Sequence, residues 1–221
     1  MTAMKYPNKL MANILGRQEG GSNMQEVIYR TVNGLNVIAL ETVNCEKRIL
    51  CIKGEISQDS AFEFALAVAH LNSISKTDSI TVYINSPGGA VDAGLLMYDV
   101  IQESPAPIRL VVLGAAYSMA ALLFASGQHG RYILPNSKLM LHEPLIDCPV
   151  GGNTSSIKTI SDDMLATRDK INRLLAKHTG KPLKVIEKAT SYDHFFTAEE
   201  SVAFGLADGV ITFGQLVEEG C

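Results

Sequence analysis

Runs of β-branched and other apolar residues alternate along this chain with segments in which apolar residues recur at helical spacing. Strand-like runs occupy residues 48–54, 79–84 and 108–113, and a helical pattern follows each of them. When strands and helices alternate in this way, the strands pair in parallel and the helices cover the sheet. The pattern therefore predicts an α/β fold with a largely parallel sheet.

Weaker patterns extend this prediction in both directions along the chain. Residues 1–23 lack periodicity and are expected to form a mobile N-terminal arm, which leaves 24–221 as one domain. Asn33-Gly34 lies between two alternating segments and is typical of a β-hairpin. The elements predicted after the central block are short strands at 130–134 and 138–141, a long amphipathic helix at 157–178, short helices at 183–189 and 198–204, and a terminal strand at 207–211.

The helix predicted over 60–74 has a recognisable start and an apolar stripe. Ser60 is the expected N-cap, because a serine side chain can accept a hydrogen bond from the first turn. Phe62, Ala65, Leu66 and Ala69 recur at helical spacing and are expected to form one apolar face.

Composition excludes several classes of function. Of 221 residues, 47% are hydrophobic and 19% charged, and the net charge of −4 comes with no long basic run. Nucleic acid is therefore not an expected partner. The four cysteines form no C-x-x-C pair and have no zinc-like spacing to histidine, so we expect free thiols and no metal site. No continuous apolar segment indicates a signal peptide or a membrane span, which favours a soluble, cytoplasmic protein.

The segment 109–127 (RLVVLGAAYSMAALLFASG) carries the first candidate for chemistry. It begins as an apolar strand, breaks at Gly114 and resumes with strong helix formers, so that Ser118 is expected at a bend. A hydroxyl there would face main-chain N–H groups at the start of a helix, a setting suited to a nucleophile that generates an oxyanion. The alternative interpretation is a core segment that happens to contain a serine.

A second candidate, 85–89 (NSPGG), lies between a predicted strand and a predicted helix. Paired glycines let the main chain approach a ligand closely and point N–H groups into a cleft, which favours an oxyanion hole. A plain strand-to-helix turn explains the same residues. The phosphate-binding patterns are absent, because neither the Walker lysine spacing nor G-x-G-x-x-G is present.

A serine nucleophile needs a base, and His142 is the best placed of five histidines. It follows the strand 138–141, at the sheet edge where open α/β folds place their sites. The alternative is a structural histidine whose ring forms hydrogen bonds at the end of the strand. His70 and His178 are expected on the surface, and His129 in a solvated turn.

The base in turn needs an acid to orient it. Asp193 is the favoured candidate because its polar loop runs into Phe195-Phe196, where partial desolvation is expected. Because the acid then follows the histidine and Ser118 lacks flanking glycines, the α/β-hydrolase pattern fits badly. The competing aspartates are Asp147, Asp162, Asp163 and Asp169.

Four ordered motifs together closely resemble the proteolytic subunit of the Clp protease (ClpP family): 83–89 (YINSPGG), 114–120 (GAAYSMA), 139–144 (LMLHEP) and 193–200 (DHFFTAEE). The resemblance runs from about residue 24 to the C-terminus. It implies a crotonase-like fold and a serine peptidase with Ser118 as nucleophile, His142 as general base and Asp193 as the orienting acid. It also implies that the oxyanion is held by the main-chain N–H groups of Gly89 and Met119.

The same resemblance implies an assembly. Family members form heptameric rings that stack as a tetradecamer around a chamber, and the helix at 157–178 with the loop at 148–154 would form a protruding handle between rings. A partner ring ATPase of the Clp family would feed unfolded chains into the chamber. ATP is then the partner's requirement, and this chain needs no cofactor.

Several residues depart from the family pattern near the implied site. Tyr117 and Ala120 are larger than the residues usual beside the nucleophile and are expected to narrow the substrate site. Glu143 replaces a glutamine beside the histidine, and a carboxylate there is expected to weaken the imidazole as a base. These changes suggest a divergent paralogue.

Departures also occur where the family makes contacts with other subunits. Ser191 and Tyr192 replace an acid–arginine pair that links ring contacts to an active triad. Glu103 and Thr81 replace apolar or aromatic residues of the chaperone-docking pocket, although Tyr83 is kept. These changes put docking to the family's usual ATPase in question.

Two other functions compete with an active peptidase. The first is a weakly active or non-catalytic ring subunit that regulates a homologue, including in mixed rings. The second is an acyl-CoA enzyme of the crotonase superfamily, which shares the fold and a main-chain oxyanion hole. Such sites generally use carboxylates and would not need the Ser118–His142 pair.

Overall fold

The structure is a computed structural model, and it describes residues 26–31, 34–146 and 151–218. The predicted arm at 1–23 lies outside the described residues, so the predicted domain division stays a prediction. The chain separates into two compact units that meet in sequence between Arg48 and Ile49. Each unit is described by itself.

The first unit contains the predicted hairpin. Strands β1 (Glu26–Thr31) and β2 (Gly34–Ala39) pair antiparallel, with Thr31 opposite Gly34. Gly34 is therefore the first residue of β2, and residues 32–33 between the strands lie outside the described part. Helix α1 (Leu40–Glu46), which the pattern did not predict, follows directly.

The second unit alternates strands and helices as predicted. Its elements are β3 (Ile49–Ile56), α2 (Gln58–Ile74), β4 (Ile80–Gly89), α3 (Val91–Glu103), β5 (Ile108–Tyr117), α4 (Met119–Ala125), β6 (Arg131–Ile133), β7 (Lys138–Leu141), α5 (Thr154–Thr179), α6 (Leu183–Thr190), β8 (His194–Phe196), α7 (Ala198–Phe204), β9 (Gly209–Val210) and α8 (Phe213–Glu218). Helix α8 was not predicted.

The strands of this unit form one seven-stranded sheet. The order β3-β4-β5-β6-β9 is parallel throughout, whereas β7 pairs in parallel with β5 and antiparallel with the short edge strand β8. This confirms the predicted α/β class with a largely parallel sheet.

Strand β5 changes its neighbour partway along its length. Residues 110–112 pair with β6, and 115–117 pair with β7. Gly114 lies between the two stretches with φ 108, a conformation that glycine adopts at little cost. The predicted chain break at Gly114 is therefore wrong: the strand continues to Tyr117, and the glycine marks the change of neighbour. Residues 85–89 likewise belong to β4 and not to a loop.

The predicted start and face of α2 are both wrong. Ser57 is the N-cap, and Ser60 completes the capping box as its third helical residue. Phe62 and Leu66 are 60% and 57% exposed, while the helix buries Ala61, Phe64, Val68 and Leu71. Because apolar residues recur on both faces, helical spacing alone does not decide which face is buried.

The core lies on both sides of β4 and β5. Leu110, Val111 and Val112 are consecutive and fully buried, which requires cover on both faces of the sheet. All seven residues of α4 are buried against β4 and β5. From the other end of the chain, α8 places Leu216 (1% exposed) in a cluster with Val111 and Ile211. None of the described helices is both long enough and apolar enough to span a bilayer.

Candidate active site

The bend between β5 and α4 presents Ser118. This residue has φ 55 and ψ −123, a main-chain conformation that costs free energy in any residue with a Cβ. Its main-chain N–H donates to the carbonyl oxygen of Met140 in β7, at 2.8 Å. Strained serines at a strand-to-helix turn are typical of nucleophiles whose hydroxyl must stand clear of the main chain.

Gly88 brings β4 against this bend. A Cβ built on Gly88 would lie 2.7 Å from Ser118 Cβ and 3.1 Å from the main-chain nitrogen of Met119. Gly89, the predicted oxyanion donor, has its own closest contacts with Ile56 of β3. Its N–H nevertheless belongs to the peptide that joins it to Gly88, beside the bend. The sequence predicted a close main-chain approach for Gly88 and Gly89 together. The structure shows that Gly88 is the one that lies against the bend.

His142 follows the last residue of β7, as predicted. Its Nδ1 atom is buried and has no hydrogen-bond partner among the described residues. Buried polar atoms are rarely left in this state without a functional reason. In a serine triad, Nδ1 is the atom that donates to the orienting acid, while Nε2 receives the proton of the nucleophile.

Ser118 and His142 line one small cavity of about 20 Å³. Its other lining residues are apolar: Val91, Met119, Leu122, Leu141, Pro144, Ile171 and Leu175. The volume accommodates roughly one water molecule. Within the described part of the chain, no hydrogen bond joins the Ser118 hydroxyl to the imidazole.

Asp193 lies opposite His142 by strand register. Leu141 in β7 pairs with His194 in β8, and one step further along the antiparallel ladder brings residue 142 level with residue 193. The carboxylate does not bond Nδ1 of His142. Asp193 is exposed in the single chain. The predicted partial desolvation of this side chain is therefore wrong. Phe195, which was expected to help shield it, is itself 53% exposed.

Tyr117 and Glu143 depart from the family pattern and were predicted to alter the site. In the structure, both side chains contact residues outside the cavity. Tyr117 does not line the cavity; its ring packs edge-to-face against Phe195, with centroids 5.7 Å apart. Glu143 Oε2 lies 3.7 Å from a terminal guanidinium nitrogen of Arg168 in α5, and both side chains are about two-fifths exposed. Sequence reasoning missed Arg168 and Phe195 as neighbours of the site, because both contacts join distant segments.

A second groove lies beyond this ion pair, between α5 and the residues that follow His142. It measures about 370 Å³ and is mainly apolar, with Ile146, Ile160 and Leu165 among its lining residues. Part of the predicted handle loop, residues 148–150, lies outside the described part. The predicted handle helix is present as α5, three residues longer at its start.

Three of the remaining histidines do not join the site. His70 and His129 are exposed, as predicted. His178 is not a surface residue: it is half-buried, and its Nε2 lies 2.9 Å from the hydroxyl of Tyr98. Burial, with Lys177 and Arg131 nearby, lowers the pKa of His178 to about 4. Within 26–31, 34–146 and 151–218, no three metal-ligating side chains cluster.

Two comparisons with known proteins concern the chain as a whole. Residues 35–213 match the family model described as Clp protease. The chain is 34% identical over 187 residues to an ATP-dependent Clp protease proteolytic subunit of Leuconostoc citreum (strain KM20). That alignment covers 84% of this chain and 94% of the relative.

Proposed function

The chain belongs to the ClpP family of Clp protease proteolytic subunits, and on that premise we propose that it is a serine endopeptidase that hydrolyses unfolded proteins and peptides. The observation that carries the proposal is the strained Ser118, which shares an apolar cavity with His142, whose buried Nδ1 atom has no hydrogen-bond partner among the described residues. A structural serine would not need this main-chain conformation.

The proposed reaction is acyl transfer. Ser118 Oγ attacks the carbonyl carbon of the peptide bond while Nε2 of His142 takes the hydroxyl proton. The negative charge that develops on the carbonyl oxygen is held by the N–H groups of Gly89 and Met119. Collapse of the tetrahedral intermediate breaks the C–N bond, and His142 gives its proton to the leaving amine. Water, activated by the same imidazole, then attacks the ester and regenerates Ser118.

Asp193 completes the proposed triad by accepting a hydrogen bond from Nδ1 of His142. The pairing of Leu141 with His194, the residues next to His142 and Asp193, supports this assignment. No metal or cofactor takes part in this reaction, and ATP is used by the partner alone.

The proposed setting is a cytoplasmic chamber formed by this chain. Heptameric rings stack as a tetradecamer, and a ring ATPase of the Clp family delivers substrates. Native mass spectrometry of the purified chain tests the assembly, since a tetradecamer has fourteen times the 23.9 kDa of one chain.

A fluorophosphonate probe tests the chemistry directly. The probe is expected to label the full chain, Ser118→Ala to abolish labelling, and Ser73→Ala near the exposed end of α2 to leave it unchanged. Equal labelling of Ser118→Ala would overturn the assignment of the nucleophile.

The open triad favours a second candidate function. Because Nδ1 of His142 lacks a partner and Asp193 is exposed, this chain could serve as a weakly active ring subunit that regulates a homologue. Peptide hydrolysis separates the two functions when the chain is measured alone and mixed with a homologue whose own nucleophile is replaced by alanine. Hydrolysis by the chain alone supports the first function. Activity in neither sample supports the second.

A further inference from the structure

Tyr117 and Phe195 form an aromatic pair across β7. Their ring centroids are 5.7 Å apart, and the ring planes are nearly perpendicular at 87°. Met140 lies opposite Tyr117 on one side and opposite Phe195 on the other. The rings therefore meet over Met140 and join β5 to β8, two strands that do not pair with each other.

Each member of the pair lies next to a proposed catalytic residue. Ser118 follows Tyr117 directly, and Asp193 lies two residues before Phe195. Side chains two residues apart along a strand point to the same face. Continuing this alternation past the strand ends places Asp193 on the face of Phe195, and His142 on the face of Met140.

Apart from this ring contact, few contacts fix the position of β8 along β7. It has three residues, and β7 is its only partner strand among the described strands. On its core face, Phe196 is buried and contacts Phe204 of α7 at a centroid distance of 4.9 Å. On the face of Asp193, the ring of Tyr117 is the aromatic contact of β8.

We propose that Tyr117 and Phe195 are positioning residues, whose ring contact keeps β8 paired with β7, so that only the start of β8 has to move for Asp193 to reach His142. This inference rests on the proposed peptidase function. Neither ring lines the cavity shared by Ser118 and His142, so neither is a catalytic residue. An offset of about 1 Å at such a site is sufficient to cost orders of magnitude in rate.

A competing role for Tyr117 is to narrow the substrate site. The two roles give different kinetics. A positioning residue acts on kcat, so Tyr117→Ala and Phe195→Ala should each lower kcat about tenfold with little change in KM. A narrowing residue acts on selectivity, so Tyr117→Ala alone would raise kcat/KM for peptides with bulky side chains.

The kinetic experiment uses the full-length chain, with peptide hydrolysis and the rate of fluorophosphonate labelling as readouts. Tyr117→Phe keeps the ring and is expected to remain within about twofold of the unmodified chain. The double variant Tyr117→Ala/Phe195→Ala should be no slower than the slower single variant, because the same contact is lost.

Phe213→Ala is the matched control. Phe213 is also an exposed aromatic residue, 64% exposed, and it packs against no ring among the described residues. Its removal should change kcat less than about twofold. If Phe213→Ala is as slow as Phe195→Ala, or if the two single losses add fully, the positioning role is overturned.

Hydrogen exchange tests the same contact without reference to activity. Amides of residues 194–196 should exchange at least about fivefold faster in Tyr117→Ala than in the unmodified chain, Tyr117→Phe or Phe213→Ala. Unchanged exchange in Tyr117→Ala overturns the proposal whatever the enzyme does. Absence of labelling and hydrolysis in the unmodified chain would instead overturn the proposed function, leaving exchange to decide on the contact.

Discussion

The main-chain N–H of Ser118 donates to the carbonyl oxygen of Met140 at 2.8 Å, which fixes the bend of the nucleophile to the strand that leads to His142. The bend has φ 55, where a Cβ is strained and glycine is not. We therefore expect Ser118→Gly to be more stable than Ser118→Ala by about 1 kcal/mol in urea unfolding, although both lose labelling. A Ser118→Gly variant that is less stable than Ser118→Ala would show that the bend is unstrained.

Gly88 should tolerate no side chain. A Cβ there would lie 2.7 Å from both Ser118 Cβ and the carbonyl oxygen of Tyr117, so Gly88→Ala must displace the bend or β4. The expected results are a loss of about 2 kcal/mol in unfolding free energy and of most fluorophosphonate labelling. Gly151→Ala is the control, because a Cβ at Gly151 meets no atom within 4 Å. Normal labelling of Gly88→Ala would contradict the close approach.

Arg131 joins three helix ends. One terminal nitrogen of its guanidinium donates to the carbonyl oxygens of Ala125, His178 and Gly205, and the group also pairs with Asp208. Arg131→Met leaves these acceptors unsatisfied and should lower the unfolding free energy by about 3 kcal/mol.

The control for Arg131 is an ion pair between two exposed side chains. Lys158 and Asp162 form an exposed pair one helical turn apart in α5. Lys158→Met should cost less than about 0.5 kcal/mol, because solvent screens the charges. Urea unfolding of both variants checks the contrast, and equal losses would refute the role given to Arg131.

His178 should make stability depend on pH. Burial lowers the pKa of His178 to about 4 in the folded chain, against 6.5 when unfolded. Between these values the unfolded chain binds more protons, so acidification favours unfolding. This contribution is complete above pH 6.5 and is lost as the pH falls toward 4.

Urea midpoints at pH 7 and pH 5 test this with His178→Gln. The unmodified chain should lose more stability between the two pH values than the variant does, since glutamine does not titrate. Tyr98→Phe, which removes only the hydroxyl partner of His178, should keep the pH dependence because burial is the main cause. Identical losses in the unmodified chain and His178→Gln would place the pH dependence elsewhere.

Leu216 should anchor α8 to the sheet. It is 1% exposed in the cluster with Val111 and Ile211, so Leu216→Ala should cost about 2–3 kcal/mol in unfolding free energy. The neighbouring Val217 is 57% exposed, and Val217→Ala should be nearly neutral. Equal effects of the two substitutions would mean that α8 does not rest on the sheet.

The order of elements and the site candidates were predictable because they depend on local patterns. Apolar runs near 108–113 and 138–141 gave β5 and β7, and the residues that follow them, Ser118 and His142, line one cavity. Asp193 was placed beside a strand that does pair with β7. The roles of these residues stay predictions.

What the sequence did not yield depends on contacts between distant segments. The buried face of α2 is chosen by its neighbours, and Phe62 and Leu66 fit the helical pattern as well as the buried residues do. The contact of Glu143 with Arg168 joins a strand end to the middle of α5. Gly114 looked like a break because glycine usually ends strands, whereas here it lets β5 change neighbours.

Helix α4 is anchored at both ends. Its first turn begins at the bend tied to β7, and the carbonyl of its last residue, Ala125, is bound by Arg131 together with carbonyls at the ends of α5 and α7. Because a single guanidinium nitrogen binds all three carbonyls, removing the Arg131 side chain takes a hydrogen-bond donor from the ends of α4, α5 and α7 at once. The helix that begins after Ser118 is therefore tied at its far end to two segments that are distant in sequence.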